Sequence, residues 1–355
     1  MQVTQIRPHS LHSSSPATPP PPASQAPPVD DRFAWSGDEP VAFTFPSFAS
    51  QPDELPAKLP EENPPVLDRP VLLVHGYNGA AENWQAFEDW LTRDGINPNG
   101  GNVKGDGTSQ VNPEGRVFKM QFQRPYNSVA TNASELRAAV NQICRATGAA
   151  EVDLIAHSKG GLDSRLYLDQ GDERVRHLVM IGTPNHGTVM ADLELRFREL
   201  GLPIFPPFQD PEVNQALRDL SADRMGADGR PNNPVVRGLN QNLQRQKERA
   251  ELFTVDGNGV PTLSDRNILT FRGDGVISRS SVELPGVERS HKWWVNHTQV
   301  KAHADVLRKT VAFITDQPLP ADEPEPPDVP ADQEITPIKI SADPEKLEYL
   351  IAARK

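Results

Sequence analysis

Along the middle of the chain, short apolar runs alternate with longer stretches whose apolar residues recur every three or four positions. Val71–Val74, Val117–Met120, Val152–Ile155, Val175–Ile181 and Ile268–Phe271 are mostly aliphatic from end to end. That is the pattern of strands buried on both faces, since a strand with one wet face alternates polar with apolar. Ala81–Leu91, Ser134–Ala146, Gly161–Leu168 and Thr298–Ile314 read as helices. In the last, Val300, Ala304, Leu307, Val311 and Ile314 form a core-facing stripe. Strand, turn and helix in repetition predict an α/β fold, a mostly parallel central sheet with helices on both faces. No internal repeat appears at periods of roughly 20–50 residues.

The flanks break this pattern. Residues 1–65 carry Ser, His and Pro clusters, with seven prolines between Pro16 and Pro28. Such a segment can neither bury a core nor hold a helix, and it reads as a disordered arm. Within it, Val41–Phe45 alternates weakly and predicts an edge strand. Asp316–Glu348 holds ten acidic residues against two lysines, with eight prolines, so about −8 of the net charge of −12 belongs to an acidic tail. A short helix is expected over Glu345–Lys355. The folded body is thus expected over residues 66–315, with the tail at 316–355.

Composition removes several classes of function. No basic run alternates with aromatics as a nucleic-acid groove requires. Cys144 is the single cysteine, so neither an intramolecular disulfide nor a thiolate metal site can form. No apolar run approaches the ~18 residues of a membrane span, and the first thirty residues lack the apolar core of a secretory signal. The expectation is a soluble protein, cytoplasmic or exported without a cleaved signal peptide. The Gly-rich Asn99–Gly107 lacks the Lys and Ser/Thr of a phosphate-cradling loop and reads as an insertion.

The chemistry-bearing signal lies at Val152–Ile155, which runs straight into Ala156-His157-Ser158-Lys159-Gly160-Gly161 and then a helical pattern. A serine at such a strand–turn–helix junction sits on a strained elbow with its hydroxyl lifted above the sheet, and small neighbours let strand and helix approach. Ala156 stands where the G-x-S-x-G pattern has its first glycine. The alternative role for Ser158 is an ordinary helix N-cap. Val71–Val74 ends in His75-Gly76-Tyr77-Asn78-Gly79, where backbone N–H groups of Tyr77 and Lys159 would face a reacting carbonyl oxygen. Taken alone, His75-Gly76 is equally a plain strand-to-loop turn.

A serine hydroxyl needs a histidine to take its proton and a carboxylate to orient that histidine. Folds with a serine on such an elbow carry them in the order Ser, acid, His. His297, in the loop before the final helical stripe, is the chosen base, with His291 and His303 as alternatives. Asp274, between Gly273 and Gly275 directly after Ile268–Phe271, is the chosen acid, with Asp256 and Asp265 as rivals.

Together these segments, with Gly182-Thr183-Pro184-Asn185-His186-Gly187-Thr188, resemble bacterial triacylglycerol lipases and related esterases over roughly Arg69–Thr315. The resemblance implies the α/β-hydrolase fold, with nucleophile Ser158, acid Asp274 and base His297. It implies a cap or lid insertion at about 186–250, opened by Thr183-Pro184. In that region the apolar stretch with Leu202, Ile204, Phe205 and Phe208 would line an acyl pocket or touch a lipid surface, unless it only packs over the sheet. Gln299 and His303 stand where the secreted branch of the family places an aspartate and a glutamine, so no structural calcium, and no cofactor or other metal, is expected. The implied activity is hydrolysis of carboxylic ester or lipid substrates through an acyl-enzyme. A phospholipase or acyltransferase on the same residues, and a non-catalytic binding protein of the same fold, are the alternatives. The arm suits a delivery segment for an exported effector as well as a passive linker.

Overall fold

The computed structural model describes residues 59–334, apart from 172–173, 200, 202, 204–209, 211–212, 225–231 and 265–267. The expected strand at Val41–Phe45, most of the arm, the terminal helix, Asp265 and the tentative pocket residues Leu202, Ile204, Phe205 and Phe208 lie outside the described residues.

In chain order the strands are β1 (Val71–Val74), β2 (Asn99–Lys104), β3 (Val117–Gln121), β4 (Val152–His157), β5 (Val175–Ile181), β6 (Glu251–Asn258), β7 (Thr262–Leu263), β8 (Ile268–Thr270), β9 (Glu288–Trp293) and β10 (Gln333–Glu334). The helices are α1 (Gln85–Leu91), α2 (Val129–Thr147), α3 (Lys159–Asp169), α4 (Val189–Glu199), α5 (Val213–Leu220), α6 (Pro234–Gln241), α7 (Leu243–Lys247), α8 (Arg279–Val282) and α9 (Ala304–Ile314). Seven strands form one sheet in the order β2-β3-β1-β4-β5-β6-β9, every pairing parallel.

Successive side chains of a strand point to opposite faces, and the two cores follow that alternation. Leu72, Val74, Leu154, Ala156, Leu178 and Met180 meet α2 and α3 through Leu136, Val140, Ile143, Tyr167 and Leu168. Val71, Leu73, Ile155, Val179, Ile181, Phe253 and Val255 meet Trp84, Phe87 and Trp90 together with Val306, Leu307 and Val311 of α9. Both faces are therefore dry, which is why the central strands lack polar alternation.

Three expectations are corrected. Asn99–Gly107 is no insertion, because Asn99–Lys104 forms the edge strand β2 against β3. Its glycines suit it to that edge, since a Cβ at Gly100 would lie 2.2 Å from the Phe118 ring. Ile268–Phe271 is not a strand of the central sheet; β8 belongs to a small antiparallel sheet, β10-β8-β7. The fifth and sixth strands of the central sheet are followed by β9, whose sequence Glu288-Arg289-Ser290-His291-Lys292-Trp293 is too polar to signal a buried strand and is held by pairing with β6. The helix expected over Thr298–Ile314 is interrupted: a 3₁₀ turn at Val300–Ala302 gives way to α9 at His303, whose Nδ1 accepts from Asp305 N–H as the N-cap. The apolar stripe nonetheless faces the core throughout.

The first part of the acidic tail is seated on the body. Asp322 bonds Lys309 and Ser290, Glu323 pairs with Lys292 at 2.5 Å, and Glu325 and Asp332 pair with Arg272 at 2.5 and 3.1 Å. Lys309 is only 5% exposed in its side chain, so removing its carboxylate leaves a poorly hydrated ammonium, which costs more than losing a surface pair. Among the described residues, no helix is long and apolar enough to cross a membrane.

Asp322→Ala should therefore cost about 1–2 kcal/mol and lower the thermal midpoint by about 3–6 °C. An unchanged midpoint in differential scanning calorimetry would mean that the tail merely rests on the body.

Candidate active site

The site begins with a backbone constraint. Ser158 follows β4 directly, at φ 56° and ψ −130°, a region a non-glycine residue enters only under strain of about 1–3 kcal/mol. Its N–H is held by the carbonyl of Ile181 at 2.9 Å. Ser158 occupies the N-cap place of α3, yet its side chain makes no capping hydrogen bond. Its Oγ lies instead 2.9 Å from Nε2 of His297.

His297 is fixed on three sides. Its Nδ1–H donates to Oδ2 of Asp274 at 2.7 Å, and its backbone N–H donates to the carbonyl of the same Asp274 at 2.9 Å. Its own carbonyl accepts from Nε2–H of His157 at 2.7 Å, and the two imidazole rings stand 4.6 Å apart. With the proton of His297 on Nδ1, beside a carboxylate, the Nε2 lone pair faces the serine hydroxyl.

Asp274 is buried, and its other oxygen accepts from the N–H groups of Val276 (3.0 Å) and Ile277 (2.7 Å). That loop follows β8, and Asp274 bridges Val260 just beyond β6, so Asp274 arrives on an excursion from the central sheet, not from the end of one of its strands. The other sequence candidates are engaged elsewhere. Asp256 binds Arg279 Nε at 3.1 Å and Asn258 at 2.6 Å, His291 faces Asp322 and the carbonyl of Glu323, and His303 caps α9.

Close approach accounts for the glycines. A Cβ on Gly76 would stand 2.7 Å from the Cβ of Ser158 and 3.3 Å from the Lys159 nitrogen, so the loop carrying Tyr77 lies directly against the elbow. A Cβ on Gly160 would stand 2.6 Å from the His75 carbonyl, and one on Gly161 2.0 Å from Thr183 Oγ1. Gly182, at φ 57°, leaves room for the Asp274–His297 pair, since its Cβ would lie 3.3 Å from both Asp274 Oδ2 and His297 Nδ1. The side chain of Lys159 is buried, paired with Asp163 at 2.8 Å. Burial drives the Asp163 carboxyl up to about 6 against the lowering pull of that ammonium.

Two residues of this neighbourhood went unassigned in the sequence. His157 is buried, and burial, with Lys301 and His297 nearby, holds its pKa well below the usual histidine range, so it acts as a neutral donor. Its place just before Ser158 was the available signal. Arg165, wholly buried, donates to Gln246 Oε1 (2.9 Å), Asn185 Oδ1 (3.0 Å) and the Leu239 carbonyl (3.0 Å). It thereby ties α3 to α6, α7 and the loop after Gly182. Tyr77 packs into a cluster with Val129, Leu162, Ala191, Leu217 and Val236, which joins α2 and α3 to α4, α5 and α6.

A family model described as alpha/beta hydrolase fold matches residues 69–254. A triacylglycerol lipase of Pseudarthrobacter phenanthrenivorans is 33% identical over 129 residues, 35% of this chain and 35% of that protein. One of Burkholderia plantarii is 33% identical over 129 residues, 35% of this chain and 31% of that protein. The chain thus spans about a third of the length of the curated relatives it matches. Among solved structures, a Bacillus licheniformis lipase in its propeptide form is similar at a TM-score of 0.48 with 18% identity, covering 75% of this chain and 54% of that one.

Gly182→Ala should reduce turnover by about 10²-fold or more with little loss of secondary structure, because the methyl displaces the His297–Asp274 pair by a few tenths of an ångström. Wild-type turnover in a folded variant would show that the pair tolerates the methyl. A second expectation concerns His75, whose pKa burial lowers to about 4. The unfolded chain takes up this proton near 6.5, so between these values it binds more protons than the native state, and the contribution of His75 to stability is complete above about 6.5 and lost as pH falls toward 4. His75→Gln should remove up to about 1.4 kcal/mol per pH unit from the slope of unfolding free energy in that window. Parallel slopes for the two proteins in urea titrations would contradict a buried, neutral His75.

Proposed function

The chain belongs to the alpha/beta hydrolase fold family, and on that premise we propose that it is a carboxylic ester hydrolase of the lipase or esterase kind, working through Ser158, His297 and Asp274. The observation that carries the reading is the continuous hydrogen-bonded path from Ser158 Oγ through both nitrogens of His297 to a buried Asp274, with distances of 2.9 and 2.7 Å. The names of the lipase relatives over their 129 matched residues support the substrate class.

In this reading His297 Nε2 takes the hydroxyl proton as Ser158 Oγ attacks the ester carbonyl. Asp274 stabilises the imidazolium and holds its orientation without itself taking the proton. The developing oxyanion is received by the backbone N–H groups of Tyr77 and Lys159, a role supported by the close approach of Gly76, next to Tyr77, to the elbow beside the Lys159 nitrogen. His297 then returns the proton to the leaving alcohol, and a water activated by the same nitrogen releases the acid from Ser158. The helices between β5 and β6, with Tyr77 packed beneath them, are the natural wall for an acyl chain or a contact with a lipid surface.

The test is hydrolysis of p-nitrophenyl esters of increasing acyl length at pH 8 by the wild type and Ser158→Ala. Activity that falls by about 10⁴–10⁶-fold in the variant is expected, and the length optimum separates esterase from lipase. Equal inertness of both proteins across the series would overturn ester hydrolysis in favour of a binding role.

A further inference from the structure

At the end of the sheet opposite Ser158, near the starts of the strands, a second set of polar groups meets in an otherwise apolar layer. Asp153, His177 and Glu251 lie side by side on β4, β5 and β6, paired in register as Asp153 with His177 and His177 with Glu251. Asp316, just past α9, comes over them in a left-handed conformation (φ 53°) that aspartate tolerates better than most residues. One donor atom each from His177, Glu251 and Asp316 fall within 4.8 Å of one another.

His177 distinguishes this cluster from a chance gathering of surface acids. Its side chain is wholly buried, with Phe313 of α9 edge-on to the ring at 5.2 Å. Its Nδ1 lies 2.8 Å from Oδ1 of Asp153, which is itself held by Arg69 Nε at 3.2 Å. Arg69 Nη2 also stands 3.3 Å from Nδ1 but has a shorter bond to the Ile314 carbonyl at 3.0 Å; with Nδ1–H given to the nearer Asp153 carboxylate, the Nε2 lone pair points the other way, toward carboxylate oxygen. Nε2 has no hydrogen-bond partner and stands 3.4 Å from Asp316 Oδ1. A lone pair facing a carboxylate calls for a cation between them. A carboxylate behind the distal nitrogen is also how proteins orient a metal-binding histidine.

We propose that His177 Nε2, Glu251 and Asp316 bind one divalent transition ion of the zinc class, with water completing the shell. An imidazole donor disfavours calcium and magnesium and suits zinc. In a tetrahedral zinc site donors stand about 3.3 Å apart, a spacing that Nε2 and Asp316 Oδ1 already have. Glu251 and Asp316 are 51% and 57% exposed, so both can turn inward and an ion can enter from solvent. The neighbouring cations are Arg69, 3.9 Å from Asp316, and Arg176, 2.6 Å from Glu251 and 3.9 Å from Asp316. Two guanidiniums against three carboxylates give these groups a net charge of −1. The ion ties the end of α9, and with it the root of the tail, to β5 and β6. Its role is structural and independent of Ser158.

The test uses the full chain, freed of metal with a chelator and titrated with Zn²⁺, followed by calorimetry and thermal unfolding. Asp316→Asn and Glu251→Gln, both at exposed side chains, are the variants. One Zn²⁺ bound per wild-type chain at this site, an affinity at least about 10-fold weaker in each variant, and a midpoint raised by Zn²⁺ but not by Mg²⁺ are expected. Zinc binding unaltered by both substitutions would place the ion on other histidines. An unchanged midpoint would leave His177 and Asp316 in a polar network that needs no ion. Either result overturns the proposal and leaves the reading of Ser158 untouched.

Discussion

Ser158 holds a backbone conformation that its side chain disfavours, and the rest of the site is arranged around keeping it there. The turn between β4 and α3 can persist at φ 56° only because its surroundings over-determine it. The Ile181 carbonyl takes the serine N–H, and the loop after β1 lies against the elbow through Gly76. The first turn of α3 closes on the end of β1 and on Thr183 through Gly160 and Gly161. Each of the three glycine contacts is an approach that one methyl group would block. The outcome is a hydroxyl directed away from its own helix and toward His297.

His297 and Asp274 come from loops that have no regular element to hold them, and they hold each other. The backbone bond from His297 to Asp274 runs beside the side-chain bond between the same two residues. Asp274 in turn accepts from two backbone N–H groups of its own turn. His157 supports the pair from the strand side, where burial keeps its ring neutral. The small sheet of β7, β8 and β10 braces the excursion that delivers Asp274. Because β10 belongs to the tail, a segment remote in sequence shares in supporting Asp274.

Most central strands and helices were legible because their apolar residues follow one of two periods, and burial on both faces of the sheet makes those periods strong. Edge elements were not. β2 is a glycine-rich strand and β9 a polar one, each stabilised chiefly by hydrogen bonds to a single neighbour, a cooperation that leaves little mark on its own side chains. β8 shows the converse: its apolar run was read correctly as a strand but assigned to the wrong sheet, since periodicity reports that a strand is buried and not which partner buries it.

By itself the sequence determined the alternation that makes an α/β layer fold, the serine at the strand–helix elbow, and the short set of later Asp and His residues that could partner it, because these depend on local backbone preferences and on which residue types can carry the chemistry. Only the tertiary structure decided that Asp274 rather than Asp256 meets His297, that Gly182 makes room for that meeting, and that His177 turns a bare nitrogen toward Asp316. Those outcomes depend on contacts between residues up to 139 positions apart in the chain. The energy of such contacts is set by distance and burial in the folded state, quantities that no local pattern encodes.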